Sequence, residues 1–143
     1  MTRTAAILGI VAVALVAGAP AGAKVFLTRE RAMEIAFGED AVVERDQAFL
    51  SEAEVERVRS IAGKGVDVRS AMVTRYVARR DGAVVGTAYL DTHRVRTLQE
   101  TLMIVVAPDG TVARVDVLTF GEPEEYLPKA LWFGQFDGRA LDE

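Results

Sequence analysis

Two tight-turn signals separate apolar, β-branched segments in the second half of this chain. Arg80-Asp81-Gly82 divides Ala71–Arg79 from Ala83–Leu90, and Pro108-Asp109-Gly110 divides Thr101–Ala107 from Thr111–Phe120. An Asp-Gly pair tolerates positive φ at both central positions, which a two-residue hairpin requires. Strands joined this closely run antiparallel, so the core of the fold is expected to be an antiparallel sheet. Thr101–Ala107 (TLMIVVA) is apolar almost without interruption, the pattern of a strand covered on both faces. Thr111–Phe120 (TVARVDVLTF) instead sets Arg114 and Asp116 on one side and Val115 and Val117 on the other.

The first half alternates between helical and strand patterns. Thr28 is placed to cap a short helix running to about Phe37, with Ala32, Met33, Ile35 and Ala36 as its apolar side, and Gly38-Glu39-Asp40 ends it. Ala41–Leu50 reads as a strand. Ser51 and Glu54 have capping-box spacing ahead of Val55, Val58, Ile61 and Ala62, which recur at helical intervals until Gly63. A last helix is expected over Pro128–Phe136. The sum is an α+β fold: two N-terminal helices, an antiparallel sheet of four or five strands and one C-terminal helix. No repeat or linker divides the chain, and 143 residues suit one domain, here expected over residues 24–143.

Residues 1–23 stand apart. They carry one cation, Arg3, then the apolar run Ala5–Ala19, then Pro20-Ala21-Gly22-Ala23. These are the three parts of a secretory signal peptide, and the run is shorter than the roughly 20 residues that span a bilayer. The expected location is periplasmic or otherwise extracytoplasmic; if the segment is retained, it anchors the domain to the cytoplasmic membrane.

Composition removes several function classes. A formal net charge of −4 opposes general nucleic-acid binding. The absence of cysteine excludes disulfides, thiolate catalysis and Cys-held metal clusters. The single histidine, His93, excludes multi-His metal sites, and its neighbours Arg94 and Arg96 argue against its service as a general base. No Gly-x-Ser-x-Gly elbow, P-loop or Gly-x-Gly-x-x-Gly string is present. Glu122, Glu124 and Glu125 form an acidic cluster without the ligand spacing of a calcium loop.

Two polar segments at strand ends remain as candidate sites. Asp91–Thr97 is expected to be a loop, and it brings Thr92, Arg94, Arg96 and Thr97 together; guanidinium forks and hydroxyls suit a phosphate, and an unliganded polar hairpin connection has the same composition. Gly121–Leu127 follows the last strand. Beyond it, Trp132, Phe133 and Phe136 offer either a helix packed on the sheet or an apolar wall for a flat ligand.

The second half of the chain resembles the FMN-binding domain family, the periplasmic flavin domain of Rnf-type and sodium-pumping quinone oxidoreductase complexes. Thr101–Val117 is similar to that family's central hairpin. Where the family often carries His-x-Glu-Thr-Pro-Gly-Leu-Gly, this chain has Phe120-Gly121-Glu122-Pro123-Glu124-Glu125-Tyr126-Leu127. The family's Trp-x-x-Gln-Phe-x-Gly is matched by Trp132-Phe133-Gly134-Gln135-Phe136-Asp137-Gly138. The resemblance covers about Ala71–Leu141. The Asp91–Thr97 segment departs from the Gly-Tyr-rich loop that often stands at its place.

The resemblance implies an exported FMN-binding protein in electron transfer, served by a redox partner protein or a membrane electron-transport complex. It implies that Glu122, Tyr126 and Leu127 line the isoalloxazine. Charge and hydroxyls add Arg94, Arg96 and Thr97 as phosphate contacts, and Thr119 completes the expected cofactor-binding set. The family esterifies the flavin phosphate to the last Thr of a Ser/Thr-Gly-Ala-Thr string, and no Ser or Thr follows Thr119 here. Three alternatives follow: FMN is held without a covalent bond, the chain is C-terminally truncated, or the domain is a non-redox interaction or scaffold module of the same fold.

Overall fold

The computed structural model describes residues 23–64, 68 and 70–141. The expected signal peptide falls on residues 1–22, outside the described residues, apart from its final Ala23.

Six strands form one antiparallel sheet: β1 (Lys24–Val25), β2 (Val42–Phe49), β3 (Met72–Arg80), β4 (Ala83–Arg94), β5 (Gln99–Val106) and β6 (Val112–Phe120), in the order β1-β6-β5-β4-β3-β2. β2 to β6 are a meander of consecutive neighbours, and β1 returns to the far edge beside β6. The expectation of four or five strands therefore falls short. The extra strand, β1, has two residues paired with Phe120 and Thr119, too short for any period to reveal it.

The helices also depart from the expected arrangement. α1 (Arg29–Phe37) follows β1, and α2 (Glu52–Ala62) connects β2 to β3, so the two do not precede the sheet as a block. At the C-terminal end, α3 is limited to Ala130–Phe133 and gives way to a 3-10 turn over Gly134–Phe136.

Local chemistry explains α1. The Thr28 hydroxyl accepts from the Arg31 N–H at 3.2 Å, and Gly38 ends the helix at φ 86°, its N–H donating to the Glu34 carbonyl. Ala32, Met33 and Phe37 are buried against Ala78, Ala88, Met103, Val105 and Leu118 on one sheet face. Met103 and Phe120 are the largest fully buried side chains, each stabilising the fold by roughly 1.5–3 kcal/mol. Phe37 approaches so closely that a Cβ on Gly86 would stand 2.8 Å from its Cε1.

The Ser51–Glu54 capping box is present in α2, with the Ser51 N–H donating to Glu54 Oε2 at 2.7 Å. Yet α2 buries none of its residues. Val55 shares a shallow groove with Leu50, Val68 and Ala71, but with no residue of the helix fully buried, capping and the Arg59–Glu56 ion pair contribute much of what holds it.

Both hairpin turns form as read. Asp81 and Gly82 take φ 51° and 79°, and Gly110 takes 86°. β5 is covered on both faces: Met103 and Val105 lie buried in the α1-side core, while Leu102 and Ile104 meet the C-terminal aromatic segment.

Candidate functional site

The two polar segments lie at the same end of the sheet and touch. β4 runs on to Arg94, so the first four residues of the expected Asp91–Thr97 loop are strand, and the turn is confined to Val95–Leu98, closed by the Val95 N–H donating to the Leu98 carbonyl at 3.1 Å. The Glu122 carboxylate, 9% exposed, reaches into this turn. Its Oε1 accepts from the Thr97 and Leu98 backbone N–H groups, at 2.5 and 2.7 Å, and from the Thr97 hydroxyl at 3.1 Å. Backbone donation from Thr97 and Leu98 holds the Glu122 carboxyl below its ordinary value.

The remaining expected site residues have separate positions. Arg96 stacks on the Tyr126 ring, its guanidinium carbon 4.4 Å from the centroid. Arg94 and Thr97 line an open depression of about 340 Å³ with Gln99 and Gly121. Thr119 is inside the sheet, paired with Val25 and Thr101. Leu127 follows the 3-10 turn Glu124–Tyr126, and its N–H donates to the Glu124 carbonyl at 3.0 Å. The acidic cluster is dispersed: Glu122 holds the turn and Glu124 pairs with Lys24. Among the described residues, no group of three or more His, Asp or Glu side chains is arranged to hold a metal ion.

An apolar slot of about 250 Å³ lies under the C-terminal segment. Leu102, Ile104 and Val115 form its floor, and Trp132, Phe133 and Phe136 its wall. Trp132 meets Phe133 and Phe136 edge-on, with centroids 5.1 and 5.4 Å away, which fixes the rings as a unit. This slot and the Arg94 depression are separate cavities. Leu102 and the turn at Thr97 are five residues apart, or roughly 16 Å of strand.

A further cluster lies on the same sheet face as Leu102. His93 Nδ1 is 2.7 Å from Asp91 Oδ2, and its Nε2 is 3.3 Å from Glu100 Oε2. Sequence adjacency to Arg94 and Arg96 suggested a cationic setting for His93. Strand alternation overturns it, because the side-chain neighbours of His93 on its face are two carboxylates. The period-2 pattern Asp91-Thr92-His93 was the available signal, but the hairpin register that brings in Glu100 had to come from the structure.

Comparisons with family models, with curated proteins and with solved structures found no match to this chain. The fit of a flavin therefore rests on the residues themselves. The slot is lined by apolar side chains and rings but open to solvent, with Trp132 52% exposed, and the Arg96 guanidinium stands at the turn, outside it. Glu122 Oε1 and the Thr97 hydroxyl are hydrogen bonded to each other.

Proposed function

We propose that the protein is an exported FMN-binding protein of electron transfer that holds its flavin without a covalent bond. The observation that carries this reading is the joining of the arginine turn to the Glu122–Pro123 turn, with the separate apolar slot as the place for the ring. In this reading Trp132, Phe133 and Phe136 exclude water from the ring. Arg96, oriented by Tyr126, meets the phosphate, while Arg94, paired with Gln99, stands on the other face of the sheet from the slot. Glu122 keeps the turn in place and does not touch the ligand. Bound flavin supplies the redox chemistry, and the protein supplies position and a dry wall. A redox partner protein or a membrane electron-transport complex completes the function.

One observation favours the second reading, a non-redox interaction or scaffold module: Glu122 and Thr97, both expected at the flavin, hydrogen bond to each other. Titration with FMN and with riboflavin separates the two. The chain has one Trp, at the slot, so its emission and the flavin's both report binding. FMN is expected to quench with a micromolar dissociation constant, about −8 kcal/mol, and riboflavin to bind more weakly. No change in either signal at millimolar FMN assigns the protein to the scaffold class.

A further inference from the structure

β2 is an open edge of the sheet. It has β3 on one side and, among the described residues, no strand on the other. The Leu50 N–H donates to the Ala71 carbonyl at 2.7 Å, which continues the β2–β3 ladder beyond Phe49↔Met72. Antiparallel bonds alternate along a strand, so Glu44, Asp46, Ala48 and Leu50 turn their backbone groups toward β3, and Val43, Arg45, Gln47 and Phe49 turn theirs outward. An uncovered row of this kind is a template for another strand. Arg45, Gln47 and Phe49 also have exposed side chains, Phe49 at 75%. With Asp46 they line an open depression of about 370 Å³ along this edge.

We propose that β2 pairs with β2 of a second copy of this chain, antiparallel about a two-fold axis at Gln47, so that the two six-stranded sheets become one. Charge selects this register. In a two-fold pairing of identical strands, the residue at the axis stands opposite its own copy, and the residues flanking it stand opposite each other. An axis at Glu44, Arg45 or Asp46 therefore sets a charge against itself, and like charges directly opposite are destabilising. An axis at Val43 avoids this but leaves Phe49 without a partner. With the axis at Gln47, Arg45 stands opposite the second copy's Phe49, Asp46 opposite its Ala48 and Glu44 opposite its Leu50. The guanidinium then has a ring to lie on, and the ring is covered. The nearest like charges are the two Asp46 carboxylates, on the diagonal, and each is held by Arg75 of its own chain at 2.6 Å. Because Gln47 turns its backbone outward, the axis falls on a hydrogen-bonded pair, with about six bonds between the strands over Arg45–Phe49. The axis is perpendicular to the sheet, so α1 of both copies stays on one side and both apolar slots on the other. The slot lies on β5 and β6, away from the joint, and this pairing does not depend on the flavin reading.

Sedimentation of the full chain from about 10 µM to about 1 mM is expected to show a reversible monomer–dimer equilibrium, with a dissociation constant on the order of 100 µM, as suits a small interface. Gln47→Pro removes the outward N–H at the axis and no bond to β3, so it should abolish the dimer. Phe49→Lys sets two cations opposite each other and should weaken association about tenfold; adding Arg45→Glu to the same chain turns the clash into an ion pair and should restore it. Both positions are exposed, so this pair of variants decides the question even if Gln47→Pro fails to fold. The chain has no cysteine, which allows the register to be read directly. At the axis the two Cα atoms stand about 5.5 Å apart, within disulfide range. Gln47→Cys should therefore oxidise to a covalent dimer at least about tenfold faster than Val43→Cys or Arg45→Cys. A chain that stays monomeric at millimolar concentration, a dimer that Phe49→Lys leaves intact, or equal cross-linking at the three positions overturns the proposal.

Discussion

The Glu122 carboxylate caps the Val95–Leu98 turn, accepting from the N–H groups of Thr97 and Leu98 across 25 and 24 residues of sequence. A turn this short exposes backbone donors that water would otherwise satisfy. One acceptor from the strand-end opposite ties β4, β5 and β6 together where the hairpin opens. Glu122→Ala is expected to lower Tm by roughly 5 °C, and Glu122→Gln by less, because the amide oxygen still accepts. The pH sign follows from the lowered carboxyl. A folded value below the unfolded one means that the contribution is complete above the ordinary 4.5 and is lost as pH falls through the folded value. The Tm gap between wild type and Glu122→Gln should therefore close in acid, below that range. A gap that stays constant down to pH 2–3, roughly the floor for such carboxylates, contradicts the assigned role.

Glu100 carries the opposite sign. Its folded carboxyl is raised from 4.5 by burial, so the folded state favours the protonated form. The stability tied to this group is complete below the unfolded value and is lost as pH rises through the folded one. Glu100→Gln, which never ionises, is expected to melt higher than wild type at neutral pH by a few degrees and equally in acid. Thermal melts from roughly pH 4, near the ordinary carboxyl value, up to roughly pH 8 check this; a variant less stable than wild type at neutral pH refutes it.

Gly86 lets α1 seat on the sheet. An added Cβ meets Phe37 Cε1 at 2.8 Å and the Val106 carbonyl at 3.3 Å. Gly86→Ala is expected to cost about 1–3 kcal/mol in chemical denaturation, as overpacked cores do. Trimming Phe37 to Leu alone opens a cavity, but combined with Gly86→Ala it should recover part of the loss. Additive losses in the double variant would show that the two side chains do not compete for one space.

α2 stands on its caps. With none of its residues buried, Ser51→Ala removes about 1 kcal/mol from a helix that has little else. The expected result is faster amide exchange across Glu52–Ala62 with global Tm unchanged. A fall in global Tm would show that α2 is coupled to the core.

What could be read from the sequence was local. Asp81-Gly82, the Thr28 cap and the Ser51–Glu54 box each rest on residues within four positions of one another, and each is present. The continuous apolar run at Thr101–Ala107 announced a doubly covered strand because composition alone reports burial. What escaped needed a partner distant in sequence. β1 is a strand only because Phe120 and Thr119 lie beside it. The resemblance puts Glu122 at the flavin; the N–H donors its Oε1 meets lie more than twenty residues upstream, beyond any local pattern. The same limit hid the Asp91–His93–Glu100 chain, whose members meet only in the β4–β5 register.

Arg96 offers the most direct test of the functional reading. Its guanidinium lies over the Tyr126 ring at 4.4 Å and makes no ion pair among the described residues. Stacking holds the group in place and leaves its N–H fork available to an anion. If a flavin phosphate docks there, Arg96→Gln should weaken FMN about tenfold and leave riboflavin unchanged. Tyr126→Phe keeps the ring beneath the guanidinium, so FMN affinity should hold within about twofold, whereas Tyr126→Ala frees the arginine and should weaken FMN. Arg94, on the far side of the turn, should contribute less. Added salt should narrow the gap between FMN and riboflavin, because the contact is electrostatic and close to water. Equal losses for FMN and riboflavin in Arg96→Gln would place the phosphate elsewhere and leave the arginine a structural partner of Tyr126.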